Sequence, residues 1–153
     1  MKKFAIILFF SLFIVGATAV SASAQRNIEQ KITQDPVLEQ DAKLNLEVAW
    51  HYFKTKKAYK AVLGRFEETS AAYPEFSKMD EFLYLAGMSS YYLSDNKGKQ
   101  KVDMTFEKDR EKFAPEKLRE NARAYLSMML EKNPQSKYKK DAEETLKALG
   151  EEK

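Results

Sequence analysis

Residues 61–74 read Ala-Val-Leu-Gly-Arg-Phe-Glu-Glu-Thr-Ser-Ala-Ala-Tyr-Pro, and residues 121–134 read Asn-Ala-Arg-Ala-Tyr-Leu-Ser-Met-Met-Leu-Glu-Lys-Asn-Pro. Pro74 closes the first stretch and Pro134 the second. Counted back from them, Phe66 matches Leu126 and Val62 matches Ala122. In both stretches apolar residues recur at three- and four-residue spacing, the period of one helix face. A proline disfavours helical geometry in the residue before it, so each stretch predicts a helix with a defined stop. A helical unit that occurs twice points to stacked helices. No run of alternating apolar and polar residues is long enough to suggest a sheet.

Working outward, the spacing predicts about five antiparallel helices, an all-α fold. The first spans Asp41–Thr55, with Leu46, Ala49, Trp50 and Phe53 inward and Leu44, Val48 and Tyr52 widening that face. Lys54 to Lys57 make a polar turn. The second helix runs from Lys57 to Tyr73 on a stripe that includes Ala61, Val62, Phe66 and Thr69, with Arg65 snorkelling. The third runs from Ser77 to Leu93. Ser77 is its expected cap, and Asp80 and Glu81 suit the dipole of its first turns. Gly87, Ser89 and Ser90 are small enough to admit a neighbouring helix. The fourth opens at Pro115, a favoured first-turn position, and closes at Lys132. Leu118, Ala122, Tyr125, Leu126 and Met129 form its stripe, and Met128 is expected beside them as core filler. The fifth runs from Ser136 to Leu149, with Tyr138, Ala142, Thr145 and Leu146 inward and Gly150 as terminator.

Two segments fall outside this pattern. Gln25 to Gln40 reads as a flexible polar arm leading into the domain, with room for a short helix near its end. Residues 95–113 form a charged insertion, which reads either as an ordered excursion pinned by Phe106 or as a mobile loop.

The N-terminus has a different character. Lys2 and Lys3 precede an apolar run from Phe4 to Val20, and Ala22-Ser23-Ala24 offers small residues for cleavage. That is the layout of a secretory signal peptide over residues 1–24. The competing reading is a retained anchor, but a run from Phe4 to Val20 is at the short limit for a spanning helix. Cleavage after Ala24 leaves residues 25–153, and losing Lys2 and Lys3 takes the net charge from +3 to +1. A nucleic-acid partner then has no electrostatic warrant. No stable membrane insertion is expected after cleavage.

Composition removes whole classes of chemistry. With no Cys in 153 residues, the chain has no disulfide, thiolate metal site, cysteine nucleophile or lipid attached through Cys. One His excludes multi-histidine metal sites. That residue, His51, sits beside Trp50 with no acid or nucleophile placed to work with it, so it reads as a packing or surface residue. The pairs Glu67-Glu68 and Glu143-Glu144 point about 100° apart on their helices and read as solvated faces. The expectation is no enzyme, no cofactor and no metal.

The repeat carries a family resemblance. A tetratricopeptide unit is about 34 residues, so the interval from Pro74 to Pro134 fits one unit enlarged by the insertion. Ala49 and Tyr52 resemble the small and aromatic positions of a first repeat helix, and Val62, Phe66 and Pro74 those of a second. Trp50 lies beside the expected slot, and the turn after Phe53 is one residue out of register. Further on, Leu83-Tyr84-Leu85-Ala86-Gly87, Tyr91-Tyr92, the charged insertion, Ala122 to Pro134, and Gln135-Ser136-Lys137-Tyr138 with Asp141-Ala142 resemble the BamD-type outer-membrane assembly lipoproteins. That resemblance covers about Ala42–Leu149 and corresponds to roughly the first half of a full-length member. The family carries its lipid on a Cys directly after the signal, where this sequence has Gln25.

The resemblance implies a tetratricopeptide-like stack over residues 41–150, exported to the periplasm and peripheral to the outer membrane. It implies a protein–protein interaction module in outer-membrane protein assembly or envelope maintenance, with an envelope protein such as the barrel-assembly machinery as partner. The alternatives are an adaptor for cell-wall or division machinery and a self-associating structural protein, a homo-oligomer. Most aromatics read as core. Tyr52, Tyr84, Tyr91 and Asn96, off the deepest apolar stripe, are the candidates to line a partner groove. The Lys97–Lys101 run reads as a solvated loop ahead of a basic patch for acidic lipid or partner.

Overall fold

The computed structural model describes residues 35–151. The expected signal peptide and residues 25–34 of the arm lie outside the described residues. The described chain is all-α: α1 Pro36–His51, a π-helical turn Tyr52–Lys56, α2 Tyr59–Ala72, α3 Met79–Ser94, short α4 Glu107–Phe113, α5 Pro115–Lys132 and α6 Lys139–Glu151. It is a tetratricopeptide-like stack. α1 packs on α2, α2 on α3, α3 on α5 and α5 on α6, while α3 also touches α1 and α6.

α1 begins at Pro36, ahead of the expected start at Asp41. The Asp35 carboxylate accepts from the Val37 amide at 2.8 Å and the Leu38 amide at 3.4 Å, and Pro36 fills the first helical position. Two otherwise orphaned donors are thereby satisfied. Residues 36–40, expected in the arm, are thus the opening of the helix.

The turns at Pro74 and Pro134 are the same structure, made twice. Tyr73 donates its amide to the Thr69 carbonyl at 2.8 Å, and Asn133 donates to Met129 at 2.9 Å. Phe76 donates to Tyr73 and Met79 to Phe76, at 3.2 and 3.0 Å, and Ser136 and Lys139 repeat both bonds at 3.0 Å. These bonded turns postpone the next helices to Met79 and Lys139. Ser77 is therefore not a cap. Its hydroxyl and its amide instead donate to Glu39 on α1.

The register slip after Phe53 has a backbone cause. The Tyr52 carbonyl accepts from both Lys57 and Ala58, and Lys57 turns the chain with φ 51°. A π-turn holds one residue more than an α-turn between bonded groups, so it absorbs the extra position.

The core contains Ala49, Val62, Phe82, Leu85, Leu118, Ala122, Leu126, Met129 and Leu149, all essentially inaccessible. At Gly87 α3 lies tight against Leu126 of α5. A Cβ there would lie 2.6 Å from Leu126 Cγ. Three expectations fail at this level. Leu44 and Val48 face outward, 52% and 39% exposed, because among the described residues only one side of α1 is covered. Met128 is 45% exposed while Met129 is fully buried, since adjacent helical positions point apart. Gly150 lies inside α6, which runs on to Glu151.

The insertion is ordered, and Phe106 does not pin it, being 65% exposed. Phe113 is the buried aromatic. The Lys99 amide donates to the Lys57 carbonyl at 2.9 Å, and the Ala61 amide donates to Gln100 Oε1 at 3.0 Å. Lys60 pairs with Asp109 at 2.5 Å, and Lys112 pairs with Glu67 at 2.5 Å. The excursion is fastened to α2 along much of its length.

Candidate binding face

Helices α1, α3 and α6 contribute one face, built around Trp50, Tyr84 and Tyr138. Trp50 lies on the last turn of α1. Its ring centroid is 6.2 Å from that of Tyr84 and 5.6 Å from that of Tyr138. Tyr84 and Tyr138 stack at 4.2 Å with their planes 11° apart. Glu81 Oε1 accepts from Trp50 Nε1 and from the Tyr138 hydroxyl, both at 2.8 Å. One carboxylate thus ties α1 and α3 to the turn that leads into α6. The Tyr84 hydroxyl donates to Asp141 at 3.2 Å, and Thr145 Oγ1 lies 3.4 Å from Met88 Sδ.

These cross-links repeat with one spacing. Glu81–Tyr138, Tyr84–Asp141 and Met88–Thr145 are each 57 residues apart. Each helix offers positions i, i+3 and i+7, one helix face, and the two faces meet in register. Burial pushes the Tyr84 phenol up, and the Asp141 carboxylate adds to this. Burial pushes the Tyr138 phenol up as well, together with its bond to Glu81. Both phenols stay protonated and act as donors.

The rings continue beyond Trp50. Phe53 lies 5.9 Å from Trp50 edge-on, Tyr59 and Tyr92 follow, and Tyr91 ends the row 5.7 Å from Tyr92. Lys54 Nζ sits 4.2 Å over Trp50, and Lys137 Nζ sits 4.8 Å over Tyr138. The face therefore presents the half-buried rings of Trp50, Phe53, Tyr91, Tyr92 and Tyr138, edged by cations and backed by the buried Tyr59 and Tyr84.

Of the four residues singled out from sequence, two join this row. Tyr84 lies within it, 6% exposed, and Tyr91 lies at its far end. Tyr52 is half-buried beside His51 at 6.4 Å, away from the row. Asn96 sits in the loop after α3 with φ 51°, where its side chain accepts from the Val102 amide at 2.9 Å. Its role there is to shape the insertion. Trp50, Glu81, Tyr138 and Asp141 were not singled out. A signal existed: Glu81 and Tyr84, like Tyr138 and Asp141, pair an acid with a tyrosine three residues apart.

Among the described residues no group of three or more His, Cys, Asp or Glu could hold a metal ion. No described helix is long and apolar enough to cross a membrane. A family model described as YfiO, outer membrane lipoprotein, matches residues 17–152. No curated protein and no solved structure matches the chain.

Proposed function

The chain belongs to the YfiO family of outer membrane lipoproteins, and from that membership we propose that it is a non-enzymatic interaction module serving outer-membrane protein assembly in the bacterial envelope. Its binding surface is the α1–α3–α6 face, and its partner is an envelope protein of the barrel-assembly machinery. The observation that supports this reading is the stack of Trp50, Tyr84 and Tyr138 locked by Glu81. Rigid aromatic surface loses little conformational freedom on binding, which favours recognition. The carboxylates there are engaged as acceptors for Trp50, Tyr84 and Tyr138, which supports a structural rather than a catalytic use.

Binding by such a face needs no chemistry. A partner segment lies against the half-buried rings and meets Lys54 and Lys137 at the edge. The test is site-specific photo-crosslinking in cells from positions 54 and 137, with the captured proteins identified. Capture of barrel-assembly components is the expected result, lost from position 54 when Lys137→Glu is added and lost from position 137 when Lys54→Glu is added. Capture of cell-wall or division proteins would replace the assembly reading with the adaptor one. Capture of the chain itself alone would indicate self-association.

A further inference from the structure

The fold joins two lysine runs that lie far apart in the sequence. Residues 54–57 and 97–101 hold six lysines in nine positions and no acid. The Lys99 amide donates to the Lys57 carbonyl at 2.9 Å, which places one run on the other. Gly98 makes this contact achievable. Its φ is 91°, and a Cβ there would lie 2.6 Å from the Lys57 carbonyl oxygen. The six ammonium-bearing residues, Lys54, Lys56, Lys57, Lys97, Lys99 and Lys101, are all exposed. Asp95 pairs with Lys97 at 2.8 Å, but Lys56, Lys57 and Lys99 have no carboxylate partner among the described residues.

We propose that this two-loop lysine patch docks the protein on an anionic membrane surface, through the phosphates of lipid headgroups. Uncompensated like charges held together repel, and an anionic plane relieves that repulsion. Each lysine near such a surface multiplies binding roughly fivefold. Two pairs of residues favour lipid over a dissolved phosphate. The Tyr91 and Tyr92 rings lie beneath Lys97 at 5.7 and 5.9 Å, an aromatic and lysine pairing suited to headgroup depth. Phe106 and Met104, on the same insertion, expose apolar surface, 65% and 41%.

The test follows acetylation of individual lysines in the full chain, by mass spectrometry, with and without vesicles. On vesicles of phosphatidylglycerol and phosphatidylethanolamine, Lys56, Lys57 and Lys99 should be protected, while Lys139 and Lys140 on α6 stay reactive. On phosphatidylcholine alone the protection should vanish. The Lys56→Glu/Lys99→Glu variant should keep its circular dichroism and bind the anionic vesicles about twenty-five-fold more weakly or worse. The charge-matched Lys139→Glu/Lys140→Glu variant should bind like the parent chain. All chains compared carry the same N-terminal segment, so any binding through it is common to them. Equal protection on neutral vesicles, no protection on anionic ones, or full protection by inorganic phosphate alone would each overturn the proposal.

Discussion

Tyr84 on α3 and Tyr138 at the start of α6 stack face to face at 4.2 Å, and each donates its hydroxyl to an acid on the other's helix. Stacking fixes the separation of the helices, and the crossed hydrogen bonds fix their register. Removing either part should have a distinct consequence.

Glu81→Ala leaves Trp50 Nε1 and the Tyr138 hydroxyl without their acceptor. Both donors are partly buried, so denaturant unfolding should show a loss of about 1–3 kcal/mol. Glu81→Gln keeps an acceptor oxygen and should lose less. Equal losses for the two variants would mean that the charge, not the acceptor, matters.

Alkaline pH tests the phenols. Tyr84 and Tyr138 have pKa values raised in the folded state, above the ordinary 10.0. Their contribution is fully present below pH 10 and is lost as the pH rises beyond it, because the unfolded chain ionises first. Stability should fall above about pH 10. The Tyr84→Phe/Tyr138→Phe variant should be less stable at neutral pH and show a shallower alkaline decline.

Gly87→Ala would drive a methyl group to 2.6 Å from Leu126 Cγ. Overpacking of this kind costs about 1–3 kcal/mol. A smaller side chain opposite should recover part of it. In a double-mutant cycle the pair Gly87→Ala/Leu126→Ala should therefore be less destabilised than the sum of its members.

Gly98→Ala strains a backbone at φ 91° and meets the Lys57 carbonyl oxygen. The expected effect is local, on the order of 1–3 kcal/mol. Hydrogen exchange should quicken at the Lys99 amide, which depends on that carbonyl, and change little at the core of α3 and α5. A uniform rise in exchange would show that the insertion and the stack unfold together.

Acid loosens the same excursion. The Lys60 ammonium beside Asp109 holds its carboxyl below the usual 3.8, helped by the Asp103 amide that donates to it. A lowered folded pKa gives stability that is present above the unfolded value and disappears as the pH falls through the folded one. The protection factor of the Asp103 amide, its exchange rate corrected for the intrinsic pH dependence, should be steady down to about pH 4 and fall below it. In Asp109→Asn the acid step should be absent.

How much was legible from sequence follows the range of the forces. The proline turns were readable because proline geometry and helical spacing act within a few residues, and the turn at Pro74 recurs at Pro134. The small residue Gly87 was readable as a close-approach point for a related reason: lack of a side chain is a property of one position. Phe106 misled because hydrophobicity alone does not say which of two aromatics in a charged stretch meets the core. Phe113 does, being 8% exposed and continuous with the start of α5.

The candidate face divides the same way. Tyr84, expected off the deepest stripe, is instead buried within the row of rings, Tyr91 lies at the end of that row, and Tyr52 and Asn96 lie elsewhere. Glu81 looked like an acid suited to a helix dipole, a local reading that could not foresee Trp50 reaching it from α1 and Tyr138 from the turn before α6.

The sequence by itself determined the all-α class, the repeated helical unit with its stops, and the absence of cysteine chemistry, since these depend on residue type and near-neighbour spacing. Tertiary structure alone decided which aromatics share a face, how the insertion is fastened, and that two lysine runs form one patch. Those outcomes rest on contacts between residues 31 to 88 positions apart, from Trp50–Glu81 to Trp50–Tyr138, whose geometry is set only once the helices have packed.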